Sequence, residues 1–135
     1  MLSHVHIGID DFSRSFAFYA AVLEELGLVL KFRDPESGWA GWIQPGLERP
    51  IFIIGGPYNR EVAGPGNGQM IAFQAPTRAV VDRCHTVAIR NGGTSEGDPG
   101  LRPRYHPSYY GGYFRDIEGN KLCVCCHNAD SETGL

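Results

Sequence analysis

The sequence predicts an α+β fold of two tandem βαβββ modules, and three observations carry that reading. Hydrophobic periodicity runs strand, helix, then three strands, and the order starts again near the middle of the chain. Gly27 and Gly92, which end the two helical patterns, stand 65 residues apart, as do Asp11 and Pro76 at the strand-to-helix junctions. With 18 Gly and 9 Pro in 135 residues, one position in five punctuates the chain into short elements. The repeat is one of element order, since residue identity between the halves is low. In such a unit the helix covers one sheet face and leaves the other open. Two units side by side predict a curved mixed sheet around a central cleft, with the helices outside. The expected organisation is a single domain over 1–135. Module 1 takes about 1–55, a linker 56–68, module 2 about 69–127, and a frayed tail 128–135.

Each element has a local reason. Leu2 to Ile9 alternates, with His4 and His6 on one face and Val5, Ile7 and Ile9 on the other. Asp11 is a good helix N-cap. Phe12, Phe16, Tyr19, Val22, Leu23 and Leu26 then recur at helical spacing, and Gly27 supplies the stop. Strands are expected at Leu28–Arg33, Trp39–Gln44 and Ile51–Ile54, separated by Asp34–Gly38 and by Pro45-Gly46, which are turn chemistry. Gly55 to Gly68 is rich in Gly, Pro and Asn and reads as the linker. Gln69–Gln74 is the next strand. Thr77 caps a helix that buries Val80, Val81, Cys84, Val87 and Ala88, with Cys84 a buried thiol and His85 a solvated imidazole. Thr94–Pro107 reads as a polar, Pro-rich connection. Tyr109–Arg115 and Lys121–His127 are the closing strands, joined by an Asp116–Asn120 turn.

Composition narrows the function classes. Apolar content of 42% with a net charge of −3 suits a globular chain, and it lacks the basic face of a nucleic-acid binder. No apolar run approaches the roughly 20 residues of a spanning helix, so no membrane partner is expected. The N-terminus lacks the pattern of a signal peptide, and three of the four cysteines crowd into Cys123, Cys125 and Cys126. A reduced, cytoplasmic protein is the expectation.

The opening HVHIGIDDFSRSFAFYAAVLEELG and the closing YHPSYYGGYFRDIEGNKLCVCCH, set in this repeat, resemble the vicinal oxygen chelate superfamily. That is the glyoxalase, bleomycin-resistance and extradiol-dioxygenase group, and the closest likeness is to a glyoxalase-like bacterial subgroup. The resemblance spans almost the whole chain. It implies a homodimer and a divalent metal that binds two neighbouring oxygens of a small molecule. Its ligands would come from the first and fourth strands of each module. In this sequence His4 falls at the first of those positions. The Ile51–Gly55 run offers no ligand, Gln69 and Met70 are not usual ligands, and Cys123 stands where the family carries Glu. The set is degenerate, so the cofactor expectation leans to no metal.

Several residues are singled out for chemistry. His4 and His6 share one strand face and suit a base, a ligand or a substrate contact. Cys123, Cys125 and His127 alternate onto one face of the last strand. A repeat of about 6.5–7 Å between alternate residues disfavours a zinc knuckle or a Cys123–Cys125 disulfide. They are then small apolar residues of a sheet, or Cys123 is a cleft thiol near His4. Arg102, His106, Tyr109 and Tyr110 lie in a stretch dense in cations and polar aromatics, suited to substrate contacts. Trp39 and Trp42 face opposite ways, with Trp39 a candidate cleft residue. The expected catalytic group is His4, Tyr109 and Cys123, and the expected substrate-binding group is His6, Trp39, Arg102, His106 and Tyr110. What the resemblance implies is action on a small oxygenated molecule by a lyase- or dioxygenase-type step. The alternative is a non-catalytic protein that binds and sequesters a small molecule.

Overall fold

The computed structural model describes residues 1–129, and the rest of the expected tail, 130–135, lies outside the described residues. The elements in chain order are β1 (His4–Gly8), α1 (Phe12–Glu25), β2 (Val29–Asp34), β3 (Trp39–Ile43), β4 (Ile51–Gly55), β5 (Ile71–Gln74), α2 (Arg78–Arg90), β6 (Thr94–Leu101), β7 (Tyr110–Arg115) and β8 (Lys121–Cys126). They form two tandem βαβββ modules with mixed sheets and the helices packed outside. The sheet orders are β1-β4-β3-β2 and β5-β8-β7-β6. In each sheet the first strand pairs in parallel with the fourth, and the other pairs are antiparallel. The sequence reading of Thr94–Pro107 as a connection needs correction, because its first half is β6. This is the edge strand of its sheet, where a proline such as Pro99 removes no inner ladder bond. Its register slips twice around Gly97 against β7, so the usual alternation is broken and the strand is hidden from a periodicity scan.

Helix caps follow the sequence. Asp11 accepts the Arg14 N–H at α1, and Thr77 accepts the Val80 N–H at α2. Gly27 and Gly92, at φ of 82° and 99°, take the left-handed conformation after each helix. Phe18, Tyr19, Val22 and Leu23 of α1 are fully buried, and one core joins them to Val81, Cys84, Phe114, Leu122 and Val124 of the second module. Burial is worth about 1.5–3 kcal/mol for each large apolar side chain. Phe18 meets Phe114 edge-on at 6.2 Å, and Phe52 meets Phe73 at 5.0 Å, so aromatic contacts cross the module seam.

The Asp116–Asn120 turn is the polar half of that seam. The Glu118 carboxylate accepts the backbone N–H groups of Asp10 and Asp11 at 2.7–2.8 Å and the Ser15 hydroxyl at 3.3 Å. A negative charge is thereby set at the N-terminus of a helix in the other module. The Tyr19 hydroxyl donates to Asp116 at 2.5 Å, and the Asn120 amide donates to the Gly8 carbonyl at 3.2 Å. Burial first, and then the Asp116 charge, push the Tyr19 phenol well above its ordinary value, so it remains a donor. This turn fixes the β1–α1 junction, and with it the direction in which β1 presents His4 and His6.

His85 also differs from its sequence reading. It is buried rather than solvated, hydrogen-bonded to the Ser95 hydroxyl at 3.0 Å, with its ring edge-on to Phe114. The β6 edge folds over α2 and covers it.

Candidate functional site

Strand alternation divides the predicted residues between two open sheet faces. Val5, Ile7, Trp42, Phe52 and Ile54 point to the helix side of the first sheet and are packed in or against the core. His4 and His6 point the other way and are exposed, as is Trp39, at 42%. A Cβ on Gly55 would lie 3.0 Å from both the His6 Nε2 and the Trp39 Cβ, so this glycine makes the room in which the His6 ring sits. Burial, and secondarily the neighbouring His4 charge, hold the His6 imidazole below its ordinary value. His4 hydrogen-bonds the Ser3 hydroxyl through Nδ1 at 2.9 Å. His6 and Trp39 line an open cavity of about 590 Å³ together with Pro57, Tyr58 and Ala63 of the linker.

The second sheet carries the denser chemistry. Tyr109 precedes β7, and its ring lies over Gly111, where a Cβ would come within 2.9 Å of it. Its hydroxyl bonds the Tyr113 hydroxyl at 2.8 Å and the Cys123 sulfur at 3.6 Å. Cys123 and Cys125 stand two apart on the same face of β8, and the Tyr109 ring meets His127 edge-on at 5.4 Å. Cys125 Sγ lies 3.7 Å from His127 Nε2, and His127 Nδ1 lies 2.9 Å from His106 Nε2. Two phenols, two thiols and two imidazoles thus form one connected row across the open face of β7 and β8. Arg102 and Lys121 flank it, at 5.4 and 5.9 Å from the Tyr113 ring.

Protonation follows from burial and from donors. Burial first, then the bonds to Tyr113 and Cys123, push the Tyr109 phenol far up, so it is a hydrogen-bond donor and not a base near neutral pH. Cys123 is fully buried, and the neighbouring Cys125 thiol together with burial pushes its thiol up. Cys125 moves the opposite way, to about 6, lowered first by the neighbouring Cys123 thiol and then by the Tyr109 hydroxyl and His127. All four cysteines are free.

The structure therefore brings Tyr109, Cys123, His106 and Arg102 together. It places His4, His6 and Trp39 on the open face of the other sheet. Among the described residues no hydrogen bond or ring contact joins the two groups. Tyr110 is on neither open face. It points to the helix side, where its hydroxyl donates to Asp82 of α2 at 2.6 Å and its ring receives Arg78. Tyr113, Lys121, Cys125 and His127 belong to the row although sequence reasoning gave none of them a site role. Their alternation with Cys123 and Tyr109 was the available signal. Among the described residues no group of three or more His, Cys, Asp or Glu converges as metal donors. His4 has Ser3 and a second imidazole, His6, near it but no carboxylate among the described residues, and Cys123 is sealed, so the donor set does not fit the family's metal.

A further cavity of about 710 Å³ opens at the module seam, walled by Val5, Leu28, Trp42, Phe52 and Phe73. None of its lining residues is titratable, so it offers shape and apolar surface but no acid–base chemistry. No helix is long and apolar enough to cross a membrane among the described residues.

No protein-family model and no curated protein matches the chain. Solved structures do match it. A glyoxalase/bleomycin resistance protein from Albidiferax ferrireducens T118 is 34% identical, with 95% of this chain and 99% of that one covered, at a TM-score of 0.82. A glyoxalase-related enzyme from Fulvimarina pelagi is 20% identical over 93% of this chain and 87% of its own, at 0.71. A glyoxalase/bleomycin resistance protein/dioxygenase family enzyme from Burkholderia phytofirmans PsJN is 22% identical over 93% and 98%, at 0.69. The last two speak for the fold alone.

Proposed function

Because the chain belongs to the vicinal oxygen chelate superfamily, the glyoxalase/bleomycin resistance/dioxygenase group, we propose that it acts on a small oxygenated molecule at the open face of β7 and β8. The observation that carries this is the phenol–thiol–imidazole row, held in place by Gly111 and flanked by Arg102 and Lys121. Tyr109, kept protonated, donates to a ligand oxygen as negative charge develops there. Arg102 supplies a cation for an anionic substituent. The usual metal site is degenerate in this reading, and no step is routed through a metal. His4, His6 and Trp39 serve a ligand from the other module's face.

A second copy of the chain is the proposed partner. β1 and β5 lie at sheet edges, and Trp39 and Met70 are 42% and 43% exposed, apolar surface that an interface would cover. A homodimer would bring one protomer's His4 and His6 face to the other's Tyr109 face. Sedimentation at micromolar concentration tests this directly: a dimer mass supports it, and a monomer at 100 μM contradicts it.

The apolar seam cavity favours a second reading, in which the protein binds and sequesters a flat or apolar molecule without reaction. Ligand-induced thermal shift separates the two. Small vicinal dioxygen compounds such as catechol and dihydroxyacetone should stabilise the wild type, and Tyr109→Phe should lose that shift. Stabilisation only by apolar compounds, unchanged in Tyr109→Phe, would support sequestration instead. A reduced, cytoplasmic setting is proposed on the same terms, since free thiols are what the row requires.

A further inference from the structure

The hydrogen-bond chain that ends on Cys125 has a direction. The Ser108 N–H donates to His106 Nδ1 at 3.2 Å, so that nitrogen carries the lone pair and the proton of neutral His106 sits on Nε2. That N–H faces His127 Nδ1 at 2.9 Å, which places the proton of His127 on Nε2. His127 Nε2–H in turn faces Cys125 Sγ at 3.7 Å. One backbone amide thereby sets two imidazole tautomers and turns the last N–H onto a sulfur. Cys123 stands two residues along the strand on the same face. A sulfur that receives a directed imidazole N–H is stabilised as a thiolate.

We propose that Cys125, stabilised as a thiolate by the His127 N–H, is a nucleophilic site for soft carbon electrophiles, with α,β-unsaturated carbonyl compounds as the substrate class. Cys123 is fully buried and Cys125 is 5% exposed, beneath His127, which is itself exposed. The acidity of Cys125, at about 6, agrees with this and keeps it ionised at neutral pH. A thiolate is a polarisable nucleophile and adds at the β-carbon of a conjugated carbonyl. The new S–C bond forms there, the C=C π pair moves to the carbonyl oxygen as an enolate, and a proton from water completes the adduct at the α-carbon. Nothing is oxidised and no group leaves. The Tyr109 hydroxyl, kept protonated in the same row, would be a donor for the enolate oxygen. This site shares a sheet face with the reading above but stands independently of it, because thiol alkylation is read out whether or not vicinal dioxygen compounds bind.

The test is alkylation of the native, reduced full-length protein with limiting iodoacetamide, and in parallel with acrylamide, followed by peptide mass spectrometry. With iodoacetamide the S–C bond forms as the C–I bond breaks and iodide leaves. The titratable groups facing Cys125 are Cys123, Tyr109 and His127, with His106 behind it; its strand neighbours Gln74 and Gly111 carry none. Cys125 should be modified before Cys84, Cys123 and Cys126, with a pH–rate midpoint near 6. His127→Ala should move the midpoint up by about one pH unit and slow alkylation at pH 5 by about threefold, the lost thiolate outweighing its higher intrinsic reactivity. His127→Gln, which keeps an N–H donor, should recover part of the rate. Modification of another cysteine first, a wild-type midpoint above pH 8, or a midpoint unmoved in His127→Ala would overturn the proposal. Far-UV circular dichroism of each variant checks folding.

Discussion

Gly111→Ala tests how the site is held. Gly111 does not need a left-handed backbone, since its φ is not positive, so alanine carries no backbone strain there. The added methyl instead meets the Tyr109 ring at 2.9 Å from Cε1 and 3.4 Å from the ring carbon bearing the hydroxyl, closer than a Cβ tolerates. The ring must tilt off β7. That breaks the 2.8 Å bond to Tyr113 and the 3.6 Å contact with Cys123. A neutral hydrogen bond contributes about 0.5–1.5 kcal/mol net, and overpacking costs about 1–3 kcal/mol. A strand alanine recovers about 0.5 kcal/mol over glycine. The expected loss is about 1–4 kcal/mol. Urea unfolding measures it, and near-UV circular dichroism follows the tyrosines. The decisive control is a double-mutant cycle with Tyr109→Ala, in which the ring is already gone and Gly111→Ala should cost less than about 0.5 kcal/mol. A full-sized loss in that background, or no loss in the wild type, would refute the placement of Tyr109.

Three further outcomes follow from the same geometry. Glu118→Ala removes a carboxylate that accepts the Asp10 and Asp11 amides, and should cost about 2–3 kcal/mol in urea unfolding; a change under about 0.5 kcal/mol would mean the module seam does not depend on it. Tyr19→Phe leaves the buried Asp116 carboxylate short of a donor and should cost about 1–3 kcal/mol, with an unchanged midpoint counting against that network. His4→Ala should raise the His6 pKa, read by NMR of the imidazole, because the second cause of its depression is gone. The sign for stability follows. The unfolded state binds the His6 proton more readily, so this contribution is intact above about pH 6.5 and is lost as pH falls, less so in His4→Ala. A His6 pKa that stays put or drops would contradict the placement of the two rings.

Much of the fold was legible because its signals are local. Asp11 and Thr77 cap helices where their side chains can reach an N–H three residues on, and Gly27 and Gly92 mark both helix ends. β6 was not legible, since Gly97 and Pro99 erase alternation on an edge strand that tolerates them. The site was half legible. Period-two spacing put Cys123, Cys125 and His127 on one face, and His4 with His6 on another. Spacing along one strand does not say which sheet faces which, and the supposed neighbourhood of His4 and Cys123 depended on that. It also could not separate Tyr109 from Tyr110, whose fates diverge because Asp82 and Arg78 of α2 hold Tyr110 on the helix side. Nor could it rank Cys125 above Cys123, since the difference lies in His127 and His106, brought together from 21 residues apart by the loop before β7.

On the proposed function, ligands meet the Tyr109 face. The most direct measurement is NMR chemical-shift mapping on isotope-labelled protein titrated with catechol and dihydroxyacetone. Saturable shifts are expected at Tyr109, Tyr113, His106 and Cys123, with weaker binding in Tyr109→Phe. Shifts confined to Val5, Trp42 and Phe73 at the module seam would contradict it.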